Sequence, residues 1–161
     1  MRHLWLLRHA KSSWDEPGLT DHDRPLAPRG RKAGRRINSW ASEHGLRPDL
    51  VLCSTPVRAV STLELVASAL GSPEVTIESE LYHATAEDML ERIGDVSDDV
   101  RTVLVIGHNP GLHDLACLLA PPGPEALPTG ALAGLALEIG RWDEIARGCG
   151  RLEELVLPRS L

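Results

Sequence analysis

Two arginines and two histidines stand in this sequence where apolar patterning does not call for them. Arg8-His9 follows the apolar run 4–7, Ser54-Thr55-Pro56-Val57-Arg58 follows the run 50–53, and Gly107-His108-Asn109-Pro110 follows the run 102–106. Each run has the length of a buried strand, and the last two clusters carry helix-start residues. In open sheets of parallel strands, ligands bind beyond the carboxyl ends of the strands. A parallel arrangement of the three runs would bring Arg8, His9, Arg58 and His108 to one edge. Two helix N-termini would lie beside them, with free backbone N–H groups and partial positive charge. Guanidinium forks pair with phosphate oxygens, and a neutral imidazole is nucleophilic near pH 7. The chemistry to expect is capture and transfer of a phosphoryl group, with arginines supplying the charge that a metal supplies elsewhere.

The elements that must position these residues alternate along the chain. The apolar run 4–7 predicts a first strand, followed by a polar stretch over 11–29. A helix is expected over 28–44, with Ala33, Ile37, Trp40, Ala41 and His44 on one face and Gly45 and Pro48 as its stop. A second strand is expected over 50–53, then a helix with Thr55 as N-cap, Pro56 at its first position, and a stripe of Val60, Leu63, Val66, Ala67 and Leu70. A short strand over 75–77 precedes a capping box at Thr85-Ala86-Glu87-Asp88 and its helix. The run 102–106 is the clearest strand, and Asn109-Pro110 opens a helix carrying Leu112, Leu115, Ala116 and Leu119. Two final strands are expected over 131–139 and 152–157, flanking a polar turn region around 142–150. This alternation predicts an α/β fold, a three-layer α/β/α sandwich with a mostly parallel central sheet, in one domain over 1–161.

Composition narrows the function classes. The 161 residues are 42% hydrophobic and 25% charged, enough for one substantial core, and with no Phe and one Tyr that core must be aliphatic. A net charge of −6 argues against general nucleic-acid binding, which needs a basic surface. Cys53, Cys117 and Cys149 are odd in number and lack metal-ligand spacing, so free thiols in a reducing compartment are expected. The apolar run before Arg8 is too short for a signal peptide, and no run reaches membrane-spanning length, so the expected location is cytoplasmic. Cys53 and Arg58 are separated by four residues with no glycine, which does not match the phosphate-wrapping loop of cysteine phosphatases, and no P-loop motif occurs. Asp21-His22-Asp23 has metal-ligand residue types but no partner cluster, so a solvated loop is expected there.

Arg8-His9-Ala10, Ser54-Thr55-Pro56-Val57-Arg58-Ala59 and Gly107-His108-Asn109-Pro110-Gly111 together resemble the histidine phosphatase superfamily, which includes the cofactor-dependent phosphoglycerate mutases. Arg8-His9-Ala10-Lys11-Ser12 and the segment from Arg24-Pro25-Leu26 to Arg29-Gly30 look more like its SixA-type branch of small phosphohistidine phosphatases. The resemblance covers the chain from about Leu4 to Leu119. It implies a phosphoglycerate mutase-like fold and a phosphatase needing no cofactor and no metal. It also implies roles: His9 attacks phosphorus and is phosphorylated, Arg8 and Arg58 bind the equatorial oxygens, and His108 donates to the same oxygens. The implied partner is a phosphorylated substrate, a phosphohistidine-bearing protein among the candidates.

The resemblance leaves the general acid open. It is usually a carboxylate between the Arg-bearing helix and the second histidine. Glu80 is the first choice, ahead of Glu78, Asp15 and His83, although Glu80 also reads as an ordinary surface carboxylate. A phosphoramidate substrate needs less help, because its leaving imidazole takes a proton from solvent near neutral pH. Three functions compete: a SixA-type phosphohistidine phosphatase, a small-metabolite phosphatase or mutase on the same scaffold, and a non-catalytic phosphate-binding signalling module. The span from Arg58 to His108 leaves little chain for a lid, and a mutase must shield its phosphoenzyme from water. Hydrolysis is therefore the expected outcome.

Overall fold

Apolar side chains alternate between two separate cores along each central strand, and this alternation shows that both faces of the sheet are covered. The computed structural model describes residues Met1–Leu161. Strand β1 (Arg2–Arg8) sends Leu4 and Leu6 to one core and Leu7 to the other. Strand β2 (Leu50–Ser54) sends Leu50 and Leu52 one way and Val51 and Cys53 the other. In β4 (Thr102–Gly107) Val103 and Val105 oppose Leu104 and Ile106. A pleated strand puts successive side chains on opposite faces, so a continuous apolar run belongs to a strand buried on both. Each fully buried aliphatic side chain here contributes about 1.5–3 kcal/mol relative to exposure.

Helices α1 (Pro28–His44) and α2 (Val57–Val66) fill one core with Ile37, Ala41, Ala59, Leu63 and Val66. On the opposite face lie α3 (Ala86–Gly94) and α4 (Gly111–Leu119), which bring Met89, Ile93, Leu112, Leu115 and Leu119. With β3 (Glu74–Glu78), β5 (Leu132–Leu137) and β6 (Gly150–Val156), the sheet order is β3-β2-β4-β1-β5-β6. β3, β2, β4 and β1 run parallel; at one edge β5 pairs antiparallel with β1 and β6 antiparallel with β5. The expected three-layer α/β/α sandwich with a mostly parallel sheet is the fold observed.

Local differences have local causes. Thr55 does not cap α2: Pro56 occupies the cap position without a side-chain bond, and the Thr55 hydroxyl lies 3.1 Å from His22 Nε2. The Thr85–Asp88 capping box forms as expected, each side chain bonding the other's backbone N–H. The last strand begins earlier than the apolar pattern shows, at Gly150, because Gly150 and the exposed Arg151 still pair with Leu137 and Ala136 of β5.

Two glycines allow the close approaches that hold α1 in place. A Cβ at Gly34 would lie 2.7 Å from Leu65 Cδ1 of α2, and one at Gly30 would lie 2.2 Å from the Lys11 carbonyl oxygen. The first turn of α1 is thus pressed onto the loop that follows His9.

Candidate active site

The registers Arg8↔Gly107 and Cys53↔Ile106 place the carboxyl ends of β1, β2 and β4 at one edge. There the side chains of Arg8, His9, Arg58 and His108 converge. The rings of His9 and His108 lie 5.2 Å apart, centroid to centroid, and are tilted by 52°.

His9 is only 8% exposed, and its Nδ1 lies 2.7 Å from the carbonyl oxygen of Ala10. A carbonyl can only accept, so Nδ1 carries the ring proton and Nε2 keeps a free lone pair. Burial, helped by Arg58, Arg8 and Arg24, lowers the imidazole pKa to about 4, against the opposing bond to Ala10. His9 is therefore neutral and nucleophilic at pH 7. The loop behind it is pinned by Thr62, a buried residue of α2. Its hydroxyl accepts from the Ala10 N–H at 2.9 Å and donates to the Arg58 carbonyl at 2.7 Å. One side chain thus ties the loop that follows His9 to the arginine-bearing helix.

His108 Nε2 lies 2.8 Å from the hydroxyl of the fully buried Ser54. Burial, then the neighbouring His9 and Arg58, lower its pKa to about 3. Its Nδ1 is buried without a partner, as is Nε of Arg8. Nε of Arg2, at the opposite end of β1, is unpaired in the same way. Arg8 is further held by the Leu127 carbonyl at 3.2 Å, which also accepts from Asn109 Nδ2 at 2.8 Å.

Asp21 is the site residue that the sequence reading missed, having been assigned to a solvated loop. Its carboxylate accepts from Arg58 Nη2 at 2.9 Å, from Arg24 Nη1 at 3.0 Å and from the Tyr82 hydroxyl. Its carbonyl accepts from Arg58 Nη1 at 2.8 Å. Hydrogen bonds from Tyr82, Arg58 and Arg24 hold the carboxyl well below its usual range, so it is ionised and orients Arg58 rather than donating a proton. The Asp21-x-x-Arg24 spacing was the available signal, since it places the carboxylate and the guanidinium on one side of a 3₁₀ turn.

The acid candidates fare differently. The structure does not bring Glu80 to the histidines. After β3 the chain turns through Ser79–Leu81, buries Leu81, and leaves Glu80 exposed in another cleft with Asp88, Glu91, Arg92 and Asp95. Tyr82, two residues on, reaches the site instead. Glu78 is chelated by Arg92 at 2.7 and 2.8 Å and bonded by Thr76. Asp15 lies in the exposed loop before α1. His83 stacks on Tyr82 with ring centroids 4.1 Å apart and lines a cleft with His108, Asn109 and Pro110. Glu87 and Asp114 wall the same cleft, but neither is hydrogen-bonded or ion-paired to the four residues. Cys53 is fully buried, which pushes its thiol up to about 12 and removes it as a nucleophile.

Comparisons with known proteins agree with this fold. Residues 4–93 match the family model of the histidine phosphatase superfamily (branch 1). An uncharacterized protein of Mycobacterium tuberculosis is 36% identical, over 95% of this chain and 100% of its own length. A candidate phosphohistidine phosphatase SixA of Nakamurella multipartitia superposes with a TM-score of 0.86 at 28% identity, over 98% of this chain and 96% of that one. The structure of the protein histidine phosphatase SixA complexed with tungstate superposes with a TM-score of 0.83 at 25% identity, over 98% of both chains. With its strand-end arginines and histidines in the order and places described, the chain belongs to the histidine phosphatase superfamily.

Proposed function

We propose that the protein is a metal-independent phosphatase working through phospho-His9, and that its substrate is a phosphohistidine borne by a protein. The observation that carries this reading is the pairing of a neutral, tautomer-fixed His9 with the lack of a carboxyl group bonded to either histidine, Asp21 being ionised and committed to the arginines. The Nε2 lone pair of His9 attacks phosphorus as the substrate's P–N bond breaks. The leaving imidazole is protonated from solvent, and the positive charge that develops on His9 is stabilised through Nδ1–H and the Ala10 carbonyl. Arg8, Arg58 and His108 hold the non-bridging oxygens and neutralise their charge. Water then attacks phospho-His9, releases inorganic phosphate and restores the neutral imidazole. An alkoxide leaving group would need an acid, whereas an imidazole does not. The likeness to a protein histidine phosphatase SixA whose structure was solved as a tungstate complex supports an oxyanion ligand for this fold.

A second reading, hydrolysis of small phosphate esters, is favoured by one observation. His83 lines the cleft beside His108 and could protonate an alkoxide there. Both readings are tested by an acid-quenched reaction with labelled substrate after EDTA treatment, run on a phosphohistidine peptide, an aryl phosphate and an alkyl phosphate. The expected label is acid-labile and base-stable, lies on the peptide containing His9, and forms fastest from phosphohistidine. Label on Cys53 or Ser54, or complete loss of activity restored by Mg²⁺, would overturn the mechanism. Faster turnover of the alkyl phosphate would select the second reading.

A further inference from the structure

Five of the seventeen basic residues of this acidic chain line one cleft that contains no acidic residue. Lys11 comes from the loop after His9, Arg29, Lys32 and Arg36 from α1, and Arg159 from the turn Pro158–Ser160. The cleft has a volume of about 360 Å³. None of the five takes part in an ion pair, although the chain carries 23 carboxylates. Only Arg36 has a side-chain bond, to the Pro158 carbonyl at 3.4 Å.

Folding does not ask for this arrangement. Five like charges around one concavity repel one another, and the cleft walls strengthen their field. Arg29 and Lys32 also sit near the start of a 17-residue helix, where the dipole disfavours cations. Arg29, Lys32 and Arg36 fall three and four residues apart, so they form a row on one helix face about 10 Å long. A row of that length matches several carboxylates on an extended segment better than it matches one small anion.

The cleft also shares its wall with the active site. Leu127 gives its carbonyl to Arg8, and the next two residues, Pro128 and Thr129, line the cleft. Gly130 N–H donates to the carbonyls of Arg8 and His9 at 3.1 and 3.0 Å. A ligand in the cleft therefore lies along the rim from the nucleophile.

We infer that this cleft binds an acidic segment of a protein partner, the same partner that presents its phosphoryl group to His9. The second half of that statement rests on the phosphatase reading above; the first half does not. The direct test is the fluorescence anisotropy of labelled hexaglutamate with the full chain at low ionic strength, about 20 mM, where surface charges are little screened. Saturable binding is expected. It should weaken about tenfold or more in Lys32→Glu/Arg36→Glu, and survive in Lys32→Arg/Arg36→Lys. Circular dichroism melts check that the variants fold, and placing acids in the first half of α1 should not lower the midpoint. No binding, binding untouched by charge reversal, or tighter binding of a uridine hexanucleotide would overturn the inference. A catalytic arm compares phosphohistidine peptides with acidic and neutral flanks. Wild type should favour the acidic flank about tenfold in kcat/KM, and the charge-reversal variant should lose that preference. Equal turnover of both peptides by wild type would overturn the shared partner. No turnover of either peptide, with hexaglutamate still bound, would defeat the phosphohistidine reading and leave the cleft assignment standing.

Discussion

Acid should affect this protein's activity and its stability differently, and both effects can be worked out from His9. Its pKa is lowered from 6.5 to about 4 by burial and by Arg58, Arg8 and Arg24. At pH 5.5 an ordinary histidine would be roughly 9% neutral, whereas one with a pKa near 4 stays roughly 97% neutral. The acid limb of kcat/KM, which reports the free enzyme, should therefore lie near 4 once the substrate's own second ionisation near about 6 is allowed for. Stability follows the opposite course. A folded-state pKa below the unfolded one means that the unfolded chain binds the proton first. Stability from this group is thus complete above about 6.5, falls as pH drops from 6.5 to 4, and levels off below. For His9 the difference corresponds to roughly 3 kcal/mol, and its burial means that solvent screens little of it. The assay is kcat/KM for an aryl phosphate across this range, together with urea unfolding of wild type and His9→Asn at each pH. Wild type should stay active while losing stability, and His9→Asn should lose less. An activity limb at 6.5, with the same pH dependence of stability in both proteins, would refute the argument.

Two further outcomes test the parts around His9. Thr62→Val removes the acceptor of a buried N–H and should cost about 1–3 kcal/mol by thermal or urea unfolding. It should also lower kcat more than it changes KM, with both defects restored in Thr62→Ser; a variant with unchanged turnover would mean that Thr62 only packs. Glu80→Gln should leave alkyl phosphate, aryl phosphate and phosphohistidine turnover alike, because Glu80 lies in another cleft. A general acid contributes about 10²- to 10⁴-fold, so a selective loss on alkyl phosphate would return Glu80 to the mechanism.

What the sequence revealed followed from backbone periodicity. The runs ending at Leu7, Cys53 and Ile106 are apolar on both faces, which marks parallel central strands, and strand ends must gather at one edge. The juxtaposition of Arg8, His9, Arg58 and His108 was therefore readable. Asp21 was not. It reaches Arg58 across 37 positions, through a loop whose path depends on Arg24 bonding to Ser12 and Ser13 and on Tyr82 arriving from beyond β3. Glu80 failed as an expected site residue for a related reason. The strand boundary was placed correctly to within a residue, but a single 3₁₀ turn decides which of Glu80 and Tyr82 faces the histidines, and burial of Leu81 sets that turn. The hydroxyl of Thr62 reads as an ordinary helix residue until Ala10 is seen beneath it.

The charge balance of the site shows what a carboxylate does among its arginines. Arg8, Arg24 and Arg58 lie close enough to His9 to depress its titration, and both imidazoles are neutral at pH 7. Asp21 is the one anion bonded to them, which leaves an excess of two positive charges. That excess matches a phosphoryl dianion. Without Asp21 the three guanidinium charges around His9 would be uncompensated. Arg58 would also lose the two bonds it donates to Asp21, which fix its guanidinium plane. Asp21 therefore offsets one charge of the cluster and orients Arg58 at the same time.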